Sequence, residues 1–346
     1  MVHNKLTVYG RELVLCVLVL PIQASHAQAT PPEGLETVLQ HASSMDPMQS
    51  LLIWHQDSLL VEEYYRGLRP GRAVNIKSAS KTVLSALVGM ALQRGEIDSL
   101  DQPLHALLPD RYGPADPEKA GISFRNAITM RTGLETTSFD NYGAWASSSD
   151  WVRFQLRQPI ECSPGSCWGY STGTSHMVGV VLSHQSGESL LDLARTRLFG
   201  PLGARLSPWD RDPQGFYLGG NNMGVRPTDL LSFGRLYLND GVWNGRRLLP
   251  EGWVQSSWET YGRSPWNGNR YGFFWWNRTL AGEEAFFAWG YGGQYVFVVP
   301  RLKLVVVTTA SLSNRPRGVN HNREVYRLME RIIPVMRRRH PGEMAR

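Results

Sequence analysis

The distribution of strand-forming segments constrains the fold of this chain most. Two lie early, at 51–55 and 58–65, separated by Gln56-Asp57, and read as a hairpin. Strand character returns only late, at 271–277, 285–289, 294–299 and 303–309. The stretch from about 98 to 215 is rich in Pro, Gly, Ser and short helical segments, including 149–156 and 174–184. A first helix is expected over 33–42 and a last one over 322–337. There is no strand–helix–strand alternation of the kind a parallel sheet needs. Early and late strands enclosing a helical middle point to one antiparallel sheet flanked by the terminal helices, with a helical lobe beside it, an α/β fold of the α+β kind. The sheet lobe is expected over about 33–97 and 216–340 and the helical lobe over about 98–215, within a single domain at 28–340. A site is expected in the cleft between them.

The segment following the hairpin carries chemistry. Val83, Leu84, Leu87, Val88, Ala91 and Leu92 recur at helical spacing, which predicts a helix starting near Ser78. Residues three apart share a helical face, so the Lys81 amine would stand beside the Ser78 hydroxyl. A serine is a weak nucleophile until an adjacent base takes its proton, and a desolvated lysine can be that base. A serine followed by a lysine is often only a helix cap with a solvated side chain. Lysine is scarce here, however: Lys5, Lys77, Lys81, Lys119 and Lys303 are the full set, and Lys81 alone has a serine three positions before it.

Bulk properties narrow the compartment and the partners. Lys5 and Arg11, the apolar run 13–20 and the small residues 24–27 together read as an export signal over residues 1–27. That apolar run is too short to span a bilayer, so no transmembrane anchor is expected after cleavage. The expected location is periplasmic or secreted. Cys162 and Cys167 flank a short Ser-Pro-Gly-Ser loop and, in an oxidising compartment, would close a small disulfide. The +6 formal charge comes from dispersed arginines and one terminal run, Arg337-Arg338-Arg339. With no aromatic interleaving or nucleic-acid motif beside it, nucleic acid is not an expected partner.

Two later segments complete a pattern. Trp168-Gly169-Tyr170-Ser171-Thr172-Gly173 sets a phenol before a helix, and Trp289-Gly290-Tyr291-Gly292-Gly293-Gln294 leads into an apolar strand. With Ser78-x-x-Lys81, in this order and at these spacings, they resemble the three active-site elements of serine β-lactamases and penicillin-binding proteins. The turn at 128–134 and the segments 222–243 and 248–253 strengthen the likeness. It is strongest to the class C-like branch, which holds esterases and the 6-aminohexanoate-dimer hydrolases, and it covers nearly all of the mature chain.

The resemblance implies a β-lactamase-like fold with an antiparallel five-stranded sheet, no cofactor and no metal, and an ester, amide or peptide of small-molecule size as substrate. It implies that Ser78 attacks a carbonyl to form an acyl-enzyme and that Lys81 and Tyr170 share proton transfer. The backbone N–H groups of Ser78 and Gln294 would form the oxyanion hole. Thr172, Tyr291, Gly292 and Gly293 would line the substrate, the two glycines allowing close approach, although a plain bulge accounts for them as well. Two positions depart from the family pattern. Thr172 stands where an asparagine is usual, and Tyr291 where a lysine or histidine is usual. A neutral phenol grips a free carboxylate poorly, which shifts the expectation from β-lactams and D-alanyl termini toward neutral esters and amides. Arg270 or Arg278 would be sources of the missing charge.

Other assignments compete for some of these residues. Residues 169–173 also fit G-x-S-x-G, the nucleophile elbow of α/β-hydrolases, with Ser171 as nucleophile, but that motif needs a preceding strand and 161–168 is a poor one. His176 and His184 lie eight apart on the helix after Tyr170, a spacing that suits packing or surface roles rather than zinc ligation. The alternative activities are a β-lactamase or D-alanyl-D-alanine carboxypeptidase, and a sensor that holds an acyl group without turnover.

Overall fold

A computed structural model of the protein describes residues 33–114, 116–313 and 321–339. The expected export segment lies outside them. Eight strands form one antiparallel sheet: β1 (Met48–His55), β2 (Ser58–Tyr64), β3 (Gly262–Arg263), β4 (Arg270–Tyr271), β5 (Trp276–Leu280), β6 (Glu283–Gly290), β7 (Gln294–Val299) and β8 (Leu304–Ala310), in the order β2-β1-β8-β7-β6-β5-β4-β3. The sheet is thus wider than the five strands expected. Strands β3 and β4 have two residues each, too few for a period-two pattern to show.

The expected strand over 271–277 is broken. The Phe273 amide donates to the Ser257 carbonyl and the Phe274 amide to the Ile128 carbonyl, so the backbone there bonds other segments instead of a neighbouring strand. Phe274 accordingly adopts a left-handed φ of 62°. The segment becomes a tie between the sheet and the helical middle.

Strands β7 and β8 are buried along their whole length, because helices cover both faces. Adjacent strand residues point to opposite faces, so Tyr295 and Val296 report one face each. The Tyr295 ring lies 6.0 Å from Tyr326 of the last helix, α5 (His321–Arg338), which packs against α1 (Leu35–Ser44). On the other face, α4 (Pro227–Leu238) presses the Gly234 backbone onto the sheet, where a Cβ would come within 2.6 Å of Val305 and 2.8 Å of Val296. The paired register Val298↔Val305 and Phe297↔Val306 continues this apolar layer through the sheet centre.

Two helices of the remainder are buried on all sides up to their last turn: α2 (Lys81–Gln93) and α3 (Thr172–Ser186). A helix that is buried around its full circumference belongs at the centre of a packed body, and these two lie against each other. Their N-terminal ends and the β6–β7 turn bring the three motifs together. The Cys162–Cys167 bond closes the loop immediately before Trp168 and Tyr170. Among the described residues no helix is long and apolar enough to cross a membrane, and no group of three or more His, Cys, Asp or Glu is placed to hold a metal ion.

Candidate active site

Ser78 sits in a 3-10 turn, Lys77–Ser80, and α2 begins only at Lys81, one turn later than the sequence pattern suggests. The turn is pinned from both sides. The Ile76 amide donates to the Met223 carbonyl at 2.9 Å, and the Gly290 backbone of β6 lies so close that a Cβ there would meet the Ile76 carbonyl oxygen at 2.0 Å. Lys77 holds a left-handed φ of 51°, its amide donating to Asn75 Oδ1 and its amine to Asn222 Oδ1, each at 2.9 Å. A non-glycine residue in that conformation costs energy and persists where its surroundings enforce it, commonly beside a reactive group.

Lys81 is 1% exposed. Its amine donates to Ser78 Oγ at 3.3 Å and to the Gly220 carbonyl at 2.8 Å. Gly220 must be glycine: its φ is +80°, and a Cβ would lie 2.6 Å from Lys81 Cγ and 2.8 Å from Ser175 Oγ. Burial disfavours the ammonium and lowers the Lys81 pKa to about 7. A substantial fraction of the amine is therefore free base at neutral pH.

The Tyr170 phenol lies beside the Ser78 side chain, and burial raises its pKa well above the usual tyrosine range. Its ring lies with its centroid 5.0 Å from the Lys81 amine, stacks on Trp276 at 5.7 Å and meets Tyr271 edge-on at 6.2 Å. Ser78, Tyr170, Thr172 and Tyr291 line one cavity of about 570 Å³ together with Lys77, Ser138, Phe139, Tyr142, Asn221, Trp266, Trp276 and Trp289.

Thr172, at the asparagine position of the family pattern, gives its hydroxyl to a 2.9 Å hydrogen bond with Ser138. A carboxamide nonetheless reaches the cavity from Asn221, whose Nδ2 donates to the Tyr142 hydroxyl at 3.3 Å. Sequence reading missed Asn221, Ser138, Phe139 and Trp266, which sit in turns that carry no periodic signal. Gly292 and Gly293 form the β6–β7 turn with φ of 99° and 109°. At Gly293 a Cβ would lie 2.4 Å from His321 Nε2, so packing from α5 already demands glycine there. Arg270 is taken by Glu284 and Asn277, and Arg278 by Asn269 and the Tyr326 ring, leaving neither in the cavity wall.

The competing nucleophile is used up. Ser171 is 1% exposed and caps α3, accepting from the Thr174 amide at 3.3 Å and donating to Gln155 Oε1 at 2.9 Å, with no strand directly before it. His176 is fully buried; its Nε2 bonds Asp212 Oδ2 at 3.0 Å and its Nδ1 accepts from the Gly219 amide at 3.2 Å. It is a packing histidine that steadies the segment carrying Gly220. His184 is exposed.

The Beta-lactamase family profile matches residues 44–329, and the chain belongs to that family, among the hydrolases related to β-lactamase. It is 23% identical over 252 residues to the 6-aminohexanoate-dimer hydrolase of Paenarthrobacter ureafaciens, a match covering 68% of this chain and 62% of that protein's length. In fold it is similar to a penicillin-binding protein homologue from Caulobacter crescentus, at a TM-score of 0.71 and 15% identity over 89% of this chain and 99% of that one. It is also similar to a D-stereospecific amidohydrolase from Streptomyces sp., at a TM-score of 0.63 and 18% identity over 79% of this chain and 93% of that one.

Proposed function

We propose that this chain hydrolyses neutral esters or amides through an acyl-Ser78 intermediate. The observation that carries this reading is the buried Lys81 amine at 3.3 Å from Ser78 Oγ, with its pKa lowered to about 7. Ser78 Oγ attacks the substrate carbonyl carbon while its proton passes to the neutral Lys81 amine. The resulting oxyanion is met by the backbone N–H groups of Ser78 and Gln294. In support, Gln294 pairs with Gly290, and Gly290 abuts the carbonyl just before the Ser78 turn. Tyr170, whose raised pKa keeps it protonated, hands a proton to the departing alcohol or amine and is refilled from the Lys81 ammonium. Water then attacks the acyl carbonyl by the same route, releasing the acid and restoring Ser78.

The neutral-substrate reading rests on the cavity wall. Its charged side chain is Lys77, already hydrogen-bonded by Asn222, and Tyr291 occupies the position where the family usually carries a cation. Export to the periplasm or medium is part of the proposal, supported by the Cys162–Cys167 bond, which suits an oxidising compartment.

The test compares a p-nitrophenyl ester, a linear oligoamide, nitrocefin and a D-alanyl-D-alanine peptide on the wild type and Ser78→Ala. Hydrolysis of the ester or oligoamide with a loss of at least about a thousandfold in Ser78→Ala is expected. Full activity in Ser78→Ala overturns the mechanism. Nitrocefin as by far the best substrate overturns the inference from Tyr291. A stable acyl adduct without turnover of any substrate makes the protein a sensor instead.

A further inference from the structure

Large apolar side chains exposed to water are uncommon enough on a folded surface that their clustering calls for a ligand. Among the described residues, Phe139, Trp266, Tyr291 and Leu312 are the exposed large hydrophobics, and the first three line the Ser78 cavity, at 58%, 57% and 63% exposure. They come from three separate segments. Phe139 opens a short 3-10 turn after Ser138, Trp266 lies between β3 and β4, and Tyr291 stands in the β6–β7 turn.

Two of these rings are already ordered against each other. Phe139 and Trp266 meet edge-to-face with centroids 4.7 Å apart, and Phe139 presents its ring from a backbone held at a left-handed φ of 55°. The aromatic wall continues inward. Trp266 packs on Trp168 at 5.6 Å, and Trp168 on Tyr170 at 6.3 Å. The contacts form a continuous path of rings from the mouth to the phenol beside the nucleophile. An alkyl group laid on this wall gains only by leaving water. An aromatic ring gains that and the edge-to-face or offset-stacked contacts of its quadrupole. Ligand charge is constrained as well: among the described residues the wall contains Lys77 and no carboxylate, which disfavours cations in spite of the rings.

We propose that the Phe139–Trp266 pair is an aryl-binding subsite, so that the esters or amides cleaved at Ser78 carry an uncharged aromatic ring. The proposal rests on the acyl-Ser78 reading for its chemistry but not for its binding. One ring–ring contact of this kind corresponds to a preference of about two- to twelvefold, and two contacts together to roughly five- to hundred-and-fiftyfold.

The experiment uses esters with a ring on one side only, each rate being divided by the same ester's rate of alkaline hydrolysis so that intrinsic reactivity does not confound it: ethyl phenylacetate against ethyl octanoate, and benzyl acetate against hexyl acetate. Hydrolysis is followed by pH-stat on the wild type, Trp266→Ala and Phe139→Ala. The wild type is expected to favour the aromatic member of at least one pair by about tenfold in kcat/KM. Each variant should erase most of that preference, mainly through KM. Equal or better turnover of both aliphatic esters overturns the subsite, as does a variant that slows every ester equally. Calorimetric titration of ethyl phenylacetate and ethyl octanoate into Ser78→Ala measures binding without turnover. Tighter binding of the aromatic ester, lost in Ser78→Ala/Trp266→Ala, supports the subsite even where the proposed chemistry fails. Equal affinities refute it even where the chemistry stands.

Discussion

Replacing Lys81 by methionine separates the energetics of the site from its chemistry. In the unfolded chain Lys81 keeps an ordinary lysine pKa near 10.5, whereas burial in the folded chain brings it to about 7. Below pH 7 both states hold the proton, and the native state carries the full cost of a buried ammonium. Between pH 7 and 10.5 the unfolded state binds one proton more than the native state, so native stability rises with pH, by ~1.4 kcal/mol per unit. Methionine has a similar stem and does not titrate, so its variant lacks this slope. The stability difference between wild type and Lys81→Met should therefore move in favour of the wild type by about 2.5 kcal/mol from pH 6 to pH 9. Removal of the amine also leaves the Gly220 carbonyl without its 2.8 Å donor, a loss of roughly 1–3 kcal/mol that is nearly constant with pH. At pH 6 the relief of desolvation outweighs that loss, and Lys81→Met should be the more stable protein, with its activity lost if the proposed mechanism holds. Urea unfolding at half-unit pH intervals measures this, and the other titrating groups cancel in the difference. Parallel curves from pH 6 to 9 would show that Lys81 keeps its proton in the fold and cannot serve as the base.

Other perturbations probe the supports of the site. The same deprotonation sets the pH–rate profile: kcat/KM on a neutral ester should fall about tenfold per unit below pH 7 and level off above pH 8, and a flat profile down to pH 5 would exclude Lys81 as base. Gly290→Ala places a methyl against the Ile76 carbonyl, where the Cβ would sit at 2.0 Å; a loss of about 3 kcal/mol in urea unfolding and of most activity is expected, and wild-type values for both would refute the close approach. His176→Ala removes the partner of Asp212 Oδ2, whose other oxygen keeps the Gln214 and Phe216 amides, and leaves the buried Gly219 amide without its acceptor; a loss of roughly 1–3 kcal/mol for each unpaired group is expected by the same assay. The double change Cys162→Ser/Cys167→Ser opens a short loop, whose closure entropy corresponds to about 2 kcal/mol; the midpoint of thermal unfolding should drop while Ser78 still accepts an acyl group.

How much of this was legible in the sequence depends on how local each feature is. Strand β7 was readable to the residue because its apolar run is uninterrupted, and the meeting of Ser78, Lys81 and Tyr170 was readable because a motif is a local spacing. The break at 272–275 was not, since what stops the strand is the distant Ser257 and Ile128 carbonyls that take its amides. The partner of Lys81 was hidden for the same reason. The position at the start of α3 that usually supplies an asparagine holds Thr172, and the acceptor comes instead from the Gly220 carbonyl, whose side-chain-free residue leaves no polar signature in the sequence. The proposed base is the feature that local spacing describes least. A serine and a lysine three apart look alike whether the amine is solvated or buried, and only a buried amine loses its proton near neutrality. Burial here comes from α2 and α3 being covered on every side, with Gly220 close against the Lys81 stem. In the proposed mechanism the reactivity of Ser78 is set by packing around Lys81, and a change that loosens this packing without touching either residue should raise the lysine pKa and shift the acid limb of activity upward.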